Sequence, residues 1–198
     1  MAWLPRSGQW RGIRAGVFVL CLIPFARLVY GGFSNSLGAN PIETITRSTG
    51  WWTLFLLMAT LAVTPLRKLS GANWLLRLRR IIGLYAFFYA CVHFVTFIWF
   101  DHWFNVAEIV KDVIKRPFVT VGFAAFALLL PLAFTSTNAM VRRLGRNWQR
   151  LHRLIYAIAI LGVIHFWWLV KRDLTEPIVF SVVLAVLLGI RVFWRARG

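Results

Sequence analysis

At 198 residues, 60% apolar, 16% aromatic and with a mean hydropathy of +0.70, the chain is too hydrophobic for a soluble domain, in which apolar residues make up about half. A formal charge of +17 could in a polar protein point to nucleic acid, but here the cations gather between apolar runs, which excludes that partner. The class that remains is an all-α integral membrane protein.

Apolar runs separated by polar breaks predict six transmembrane helices, at about residues 15-32, 50-66, 81-100, 117-134, 150-170 and 177-194, each near the length that crosses about 30 Å of hydrocarbon. Loops this short leave no room for a soluble domain, so residues 1-198 are expected to form one six-helix bundle. Arg6, Arg11 and Arg14 precede the first span, AGVFVLCLIPFA. This start resembles a signal peptide, but no small-x-small cleavage site follows, so it reads as a retained helix. Pro24 and Arg27 interrupt it; Arg27 either snorkels to the interface or turns inward to pair with an anionic cofactor group. The next loop, GGFSNSLGANPIETITRSTGWW, is expected to form a short interfacial helix over PIETITRSTG that presents Glu43 and Arg47, as a partner surface or as a connector.

Span two opens on Trp51 and Trp52, residues that mark the headgroup belt, and closes at Thr64 and Pro65. Span three, YAFFYACVHFVTFIWF, carries His93. His102, in DHWFN, opens an outer loop and reads as solvent-facing. Span four ends in FTSTNAM, where Thr135, Ser136, Thr137 and Asn138 can satisfy terminal carbonyls or begin a turn. Span five lies within RRLGRNWQRLHRLIYAIAILGVIHFWWLVK and holds His152 and His165. Span six has no histidine and a single cation, Arg191, near its inner end, and reads as a packing helix.

The cations alternate with the spans. Arg67, Lys68, Arg77, Arg79 and Arg80 follow the second span, Arg142, Arg143, Arg146, Arg150 and Arg153 follow the fourth, and Arg191, Arg195 and Arg197 end the chain. The positive-inside rule makes these loops and both termini cytoplasmic, with membrane lipids carrying anionic headgroups as neighbours. All six acids, Glu43, Asp101, Glu108, Asp112, Asp173 and Glu176, fall on the opposite side. Cys21 and Cys91 lie on different spans and are not expected to pair. There is no glycine-rich phosphate loop, nucleophile elbow, H-E-x-x-H or repeated domain-scale period, and no acid within a span to relay protons. Chemistry therefore rests on the histidines.

A histidine in hydrocarbon costs free energy unless it is hydrogen-bonded or coordinated. His93 and His165 stand seven and five residues before the outer ends of their spans, which puts their depths within about 3 Å of one another. Imidazole is a standard axial ligand of haem iron in helix bundles, so His93 and His165 are the preferred pair for one iron. His152 lies at the inner level, about 20 Å from His165 along a straight helix. There span three offers Arg79 and Arg80, so a second haem iron at His152 needs another ligand, a water or an open position. On a straight helix His152 and His165 are also about 140° apart, and serving one bundle requires side-chain reach, distortion or different faces; Gly162 can permit close approach of a ring. No C-x-x-C-H occurs, so haem would be held without thioether links. Arg79, Arg80, Arg150 and Arg153 either anchor the topology or bind propionates or a flavin phosphate.

In the order and spacing of NPIETITRSTGWW, TPLRKL, RRIIGLYAFFYACVHF, RPFVTVGF, LAFTSTNAM and RRLGRNWQRLHRLIYAIAILGVIHFWW, nearly the whole chain resembles the ferric-reductase-like transmembrane family, in which histidines of the third and fifth helices hold stacked b-type haems. It departs from that pattern in having arginine at the inner position of span three. The bacterial branch it most resembles implies haem b, one or two per chain, with His93, His152 and His165 as candidate ligands, together with FMN. It also implies electrons from the quinone pool or a cytosolic flavin reductase, and delivery from the inner membrane to a periplasmic molybdenum-containing methionine sulfoxide reductase that repairs oxidised envelope proteins. Such a subunit transfers electrons and has no substrate chemistry of its own. The alternatives are a transmembrane ferric reductase, disfavoured by the lack of an NAD(P)H-binding domain on this chain, and a non-redox transporter or assembly protein with structural histidines.

Overall fold

The computed structural model describes residues 7–171 and 173–197; Arg6, part of the N-terminal basic cluster, lies outside them. The described residues form helices and no strand. The order is α1 (Ser7–Phe33), α2 (Pro41–Ser70), a 3-10 turn (Asn73–Arg77), α3 (Arg79–Thr96) running into a π turn (Phe97–Asp101), α4 (Val106–Lys115), α5 (Pro117–Phe134), α6 (Asn138–Leu144), α7 (Arg146–His152), α8 (Leu154–Leu169) and α9 (Thr175–Ala196). Six stretches are long and apolar enough to cross a membrane: Gly8–Phe33, Pro41–Ser70, Asn73–Asp101, Pro117–Phe134, Arg146–Leu169 and Thr175–Ala196. They coincide with the six expected spans, and the chain is a multi-pass membrane protein. It divides into two compact units, the first reaching Phe100 and the second comprising Asp101–Ala196.

In the first unit α2 is the most buried helix, with Leu56, Leu57, Met58 and Leu61 nearly inaccessible. Its start is set by Asn40, whose side chain accepts the Glu43 N–H at 3.2 Å, and by Pro41 in the first turn, where a missing N–H costs nothing. Its end is set by Gly71, whose left-handed φ of 71° lets its N–H reach the Arg67 carbonyl. No proline stands between Pro41 and Trp51, and Gly50 remains helical. The expected separate helix over PIETITRSTG is therefore absent, and these residues are the first turns of α2, with Glu43 and Arg47 paired at 3.2 Å on its exposed face. Trp51, Trp52 and Phe55 form one aromatic cluster, with Trp51 stacked on Phe55 at 5.2 Å and Trp52 against Tyr89 at 6.3 Å.

Helix α1 stays continuous through Pro24 because α3 repairs it. Proline disrupts the ladder of its own turn, and next to it the Tyr89 hydroxyl inserts between Phe25 and Cys21, two groups spaced for an i to i−4 bond. It accepts the Phe25 N–H at 3.0 Å and donates to the Cys21 carbonyl at 2.8 Å. Tyr89 is fully buried, so neither backbone group is abandoned in an apolar setting. Arg27, one turn on, is exposed, as a snorkelling side chain is.

In the second unit Asn105 caps α4 by accepting the Glu108 N–H at 3.3 Å. This helix occupies what the sequence reads as an outer loop. Its ten residues are too few to span and alternate sharply: Val106, Val110 and Ile114 are exposed along one stripe, while Glu108 and Lys111 pair at 3.2 Å. His102 is not solvent-facing as expected. Its Nε2 lies 3.2 Å from Asp112, the two side chains are only 10% and 13% exposed, and Arg116 meets the same carboxylate at 3.3 Å. The chain turns back onto α4 at Trp103 and Phe104, both with positive φ, and this reversal brings His102 and Asp112 together. Helix α9 packs on α8 as expected. Trp167 Nε1 donates to Ser181 at 2.7 Å, and the Arg191 guanidinium lies 5.6 Å from the Tyr156 ring centre. Before α9, the hydroxyl and amide of Thr175 hold the exposed Asp173 below the usual carboxylate range.

Tyr89→Phe removes both bonds to α1, a cost of about 1–3 kcal/mol. A lower thermal midpoint of the detergent-purified variant is the expected result; a midpoint equal to wild type contradicts the repair.

Candidate functional site

His93 stands one turn before the end of α3, facing α2. Its Nδ1 lies 2.9 Å from the Thr46 carbonyl and 3.4 Å from Thr49 Oγ1. A carbonyl only accepts, so Nδ1 carries the proton and donates, and the ring lone pair is on Nε2. The Thr49 hydroxyl donates to the Ile45 carbonyl at 2.7 Å. Gly50, one turn beyond Thr46, provides the room: a Cβ there would stand 3.1 Å from His93 Cε1. The His93 carbonyl in turn receives Thr96 Oγ1 at 2.6 Å and the Phe97 N–H, where α3 widens into its π turn, a distortion frequent at functional positions.

The second unit repeats this arrangement between α5 and α8. His165 Nδ1 donates to the Phe118 carbonyl at 2.7 Å, and Gly122, one turn beyond Phe118, faces the ring so closely that a Cβ would stand 2.8 Å from both Cε1 and Nδ1. The separation between histidine and carbonyl is 47 residues in both units. The repeat that the sequence pattern does not display is thus present as a shared device: a carbonyl, a glycine one turn on, and a histidine on the returning helix. The glycine at the His165 ring is Gly122 on the neighbouring helix.

His152 is held differently. The stretch Arg146–Leu169 runs as one span, as expected, but it tightens at Arg153, between α7 and α8, where two i to i−3 bonds meet. His152 Nε2 lies 3.0 Å from Thr135 Oγ1. The Thr135 hydroxyl proton goes to the Pro131 carbonyl at 2.6 Å, so its oxygen accepts from His152 Nε2–H and the lone pair falls on Nδ1. Trp148 stacks on the imidazole at 4.0 Å and donates its Nε1–H to the Thr135 carbonyl at 2.9 Å. Thr135, read from sequence as a helix terminator, is therefore also the partner of His152. The other FTSTNAM residues act as expected: Ser136 Oγ donates to the Leu132 carbonyl, and Thr137 caps α6.

Among the described residues no three His, Cys, Asp or Glu side chains gather as they would around a bare metal ion. One imidazole per hairpin, oriented by a backbone carbonyl with its lone pair on Nε2, suits instead a metal that arrives with equatorial ligands of its own, as in haem. The donor set fits that group.

Residues 49–163 match the family described as ferric reductase like transmembrane component. The chain is 58% identical, over 98% of its length and 90% of the relative's, to a Herminiimonas arsenicoxydans protein named protein-methionine-sulfoxide reductase heme-binding subunit MsrQ. Proteins of the same name from Ralstonia nicotianae and Azospira oryzae are 56% and 54% identical, over 95% and 100% of this chain and 88% and 85% of theirs. No solved structure matches.

Overpacking a tight site costs about 1–3 kcal/mol, so Gly122→Ala is expected to lower the thermal midpoint more than Gly50→Ala, whose added methyl has more room. The reverse order would refute the cradle. Thr135→Val, which leaves the His152 Nε2–H without its acceptor, is expected to cost about 1–3 kcal/mol; an unshifted midpoint would dismiss that bond.

Proposed function

Because the chain belongs to the ferric-reductase-like transmembrane family and its relatives are MsrQ subunits, we propose that it is the haem-binding membrane subunit of a protein-methionine-sulfoxide reductase. In this reading it carries electrons across the inner membrane to a periplasmic molybdenum-containing MsrP-like partner. The observation that carries the reading is the device found in both units: His93 and His165 each donate Nδ1–H to a main-chain carbonyl, beside a glycine that leaves room for the ring.

A bound b-type haem supplies a one-electron iron couple in a low-dielectric setting. His93 and His165 would be the preferred pair to hold the iron of one haem, on the strength of the matched depths that the sequence gives them along their spans. Their carbonyl partners fix the tautomer, hold the ring plane and raise the basicity of Nε2. His152 is the candidate ligand of a second haem at the inner level, and its bond to Thr135 makes Nδ1 the donor atom there. Reducing a sulfoxide to a thioether and water takes two electrons and two protons, so the subunit would pass two electrons singly for each methionine repaired. The quinone pool, FMN, a cytosolic flavin reductase and cytoplasmic termini belong to the proposal through the family likeness and the charge pattern.

A reduced-minus-oxidised spectrum of the purified protein, with haem quantified per chain, tests the reading. Low-spin b-type bands are expected, and His93→Ala or His165→Ala is expected to abolish them. His152→Ala is expected to remove a second haem or to slow transfer to the partner. Absence of haem after expression with ample haem supply would reject the electron carrier; an unchanged spectrum in His93→Ala or His165→Ala would reject that pair.

A further inference from the structure

A groove of about 750 Å³ runs along the first unit between α1 and α3. Arg11, Arg14 and Arg80 stand at one end, and Phe18, Leu22 and Phe88 line the rest. From Arg11 to Leu22 it extends about 16 Å along α1, close to half of the roughly 30 Å hydrocarbon core. The groove is thus one leaflet deep, charged at its mouth and apolar below.

The mouth lies at headgroup level. Trp10 precedes Arg11 on α1 and packs edge-on against Trp74 at 6.5 Å, with the Arg77 guanidinium 5.3 Å from the Trp10 ring centre. Tryptophans and arginines gathered in this way mark the membrane-water boundary. Among the described residues of this unit the one acidic side chain is Glu43, paired with Arg47 near the start of α2, about 40 Å along that helix from its other end at Ser70. The open side exposes Phe18 and Leu22, which in a bilayer face acyl chains.

We propose that this groove binds an anionic phospholipid, its phosphate held by Arg11, Arg14 and Arg80 and one acyl chain laid against Phe18, Leu22 and Phe88. Guanidinium forks suit phosphate oxygens, and the apolar length below them matches a chain that ends near the bilayer midplane. The proposal stands on the first unit alone and is independent of the haem reading.

The test is native mass spectrometry of the full-length protein in detergent, titrated with phosphatidylglycerol or with phosphatidylcholine of the same chains. Phosphatidylglycerol is expected to be retained at least about tenfold better, in keeping with three cations at headgroup level. The triple variant Arg11→Gln, Arg14→Gln, Arg80→Gln should bring the two lipids to parity, whereas Arg142→Gln, Arg143→Gln, Arg146→Gln, with the same loss of charge in the other unit, should keep the preference. If the triple variant does not fold, Leu22→Trp leaves every charge in place and fills the groove, and is expected to lower phosphatidylglycerol retention about tenfold by excluding the chain. Equal retention of the two lipids by the wild type, loss of preference in the control variant, or unchanged retention in Leu22→Trp overturns the proposal. Displacement of the lipid by FMN but not by riboflavin also overturns it, since the arginines would then serve a soluble phosphate.

Discussion

A histidine in hydrocarbon must place its ring proton somewhere, and in each unit that proton goes to a main-chain carbonyl on the facing helix. The bonds from His93 to Thr46 and from His165 to Phe118 fix which nitrogen keeps a lone pair. They also require the two helices of the hairpin to approach closely, and that requirement fixes glycine at positions 50 and 122. The packing of α2 on α3 and of α5 on α8 is therefore inseparable from the state of the imidazoles.

The remaining helices secure these hairpins. Tyr89 belongs to the His93 hairpin, yet its hydroxyl is spent on the backbone of α1, beside the proline that would otherwise leave polar groups bare in lipid. In the second unit, Trp167 and Arg191 tie α9 to α8 in the same economical way, one polar tip each on a long apolar interface. Such contacts matter because lipid removes the hydrophobic drive for helix association and leaves packing and interhelical hydrogen bonds to hold a bundle together.

The six spans and the candidate histidines were legible in the sequence because both rest on properties that hydropathy and residue type report directly. The features that escaped depend on what faces what. His102 read as a loop histidine because Asp112 and Arg116 follow at helical spacing only once α4 is recognised, and α4 is too short and too charged to register as a span. The tightening at Arg153 carries no proline or glycine, so nothing in the residue types of span five marks it. Thr135 and Trp148 are thirteen residues apart in the chain, and nothing in their types marks them as a seat for His152. The start of α2 was misplaced because its first three turns are polar, and hydropathy places the span where the lipid begins, not where the helix does.

The repeated device also has a bearing on how such proteins change over time. Its acceptor is a peptide carbonyl, which every residue possesses, and the side chain attached to it is free to differ: threonine in one hairpin, phenylalanine in the other. Substitution at either position leaves the bond in place, whereas adding one methyl group to the glycine a turn away intrudes on the ring. Two hairpins can accordingly share this geometry while differing in most letters of the chain, and a search for further examples has more to gain from the spacing of a glycine and a histidine than from the residues that separate them.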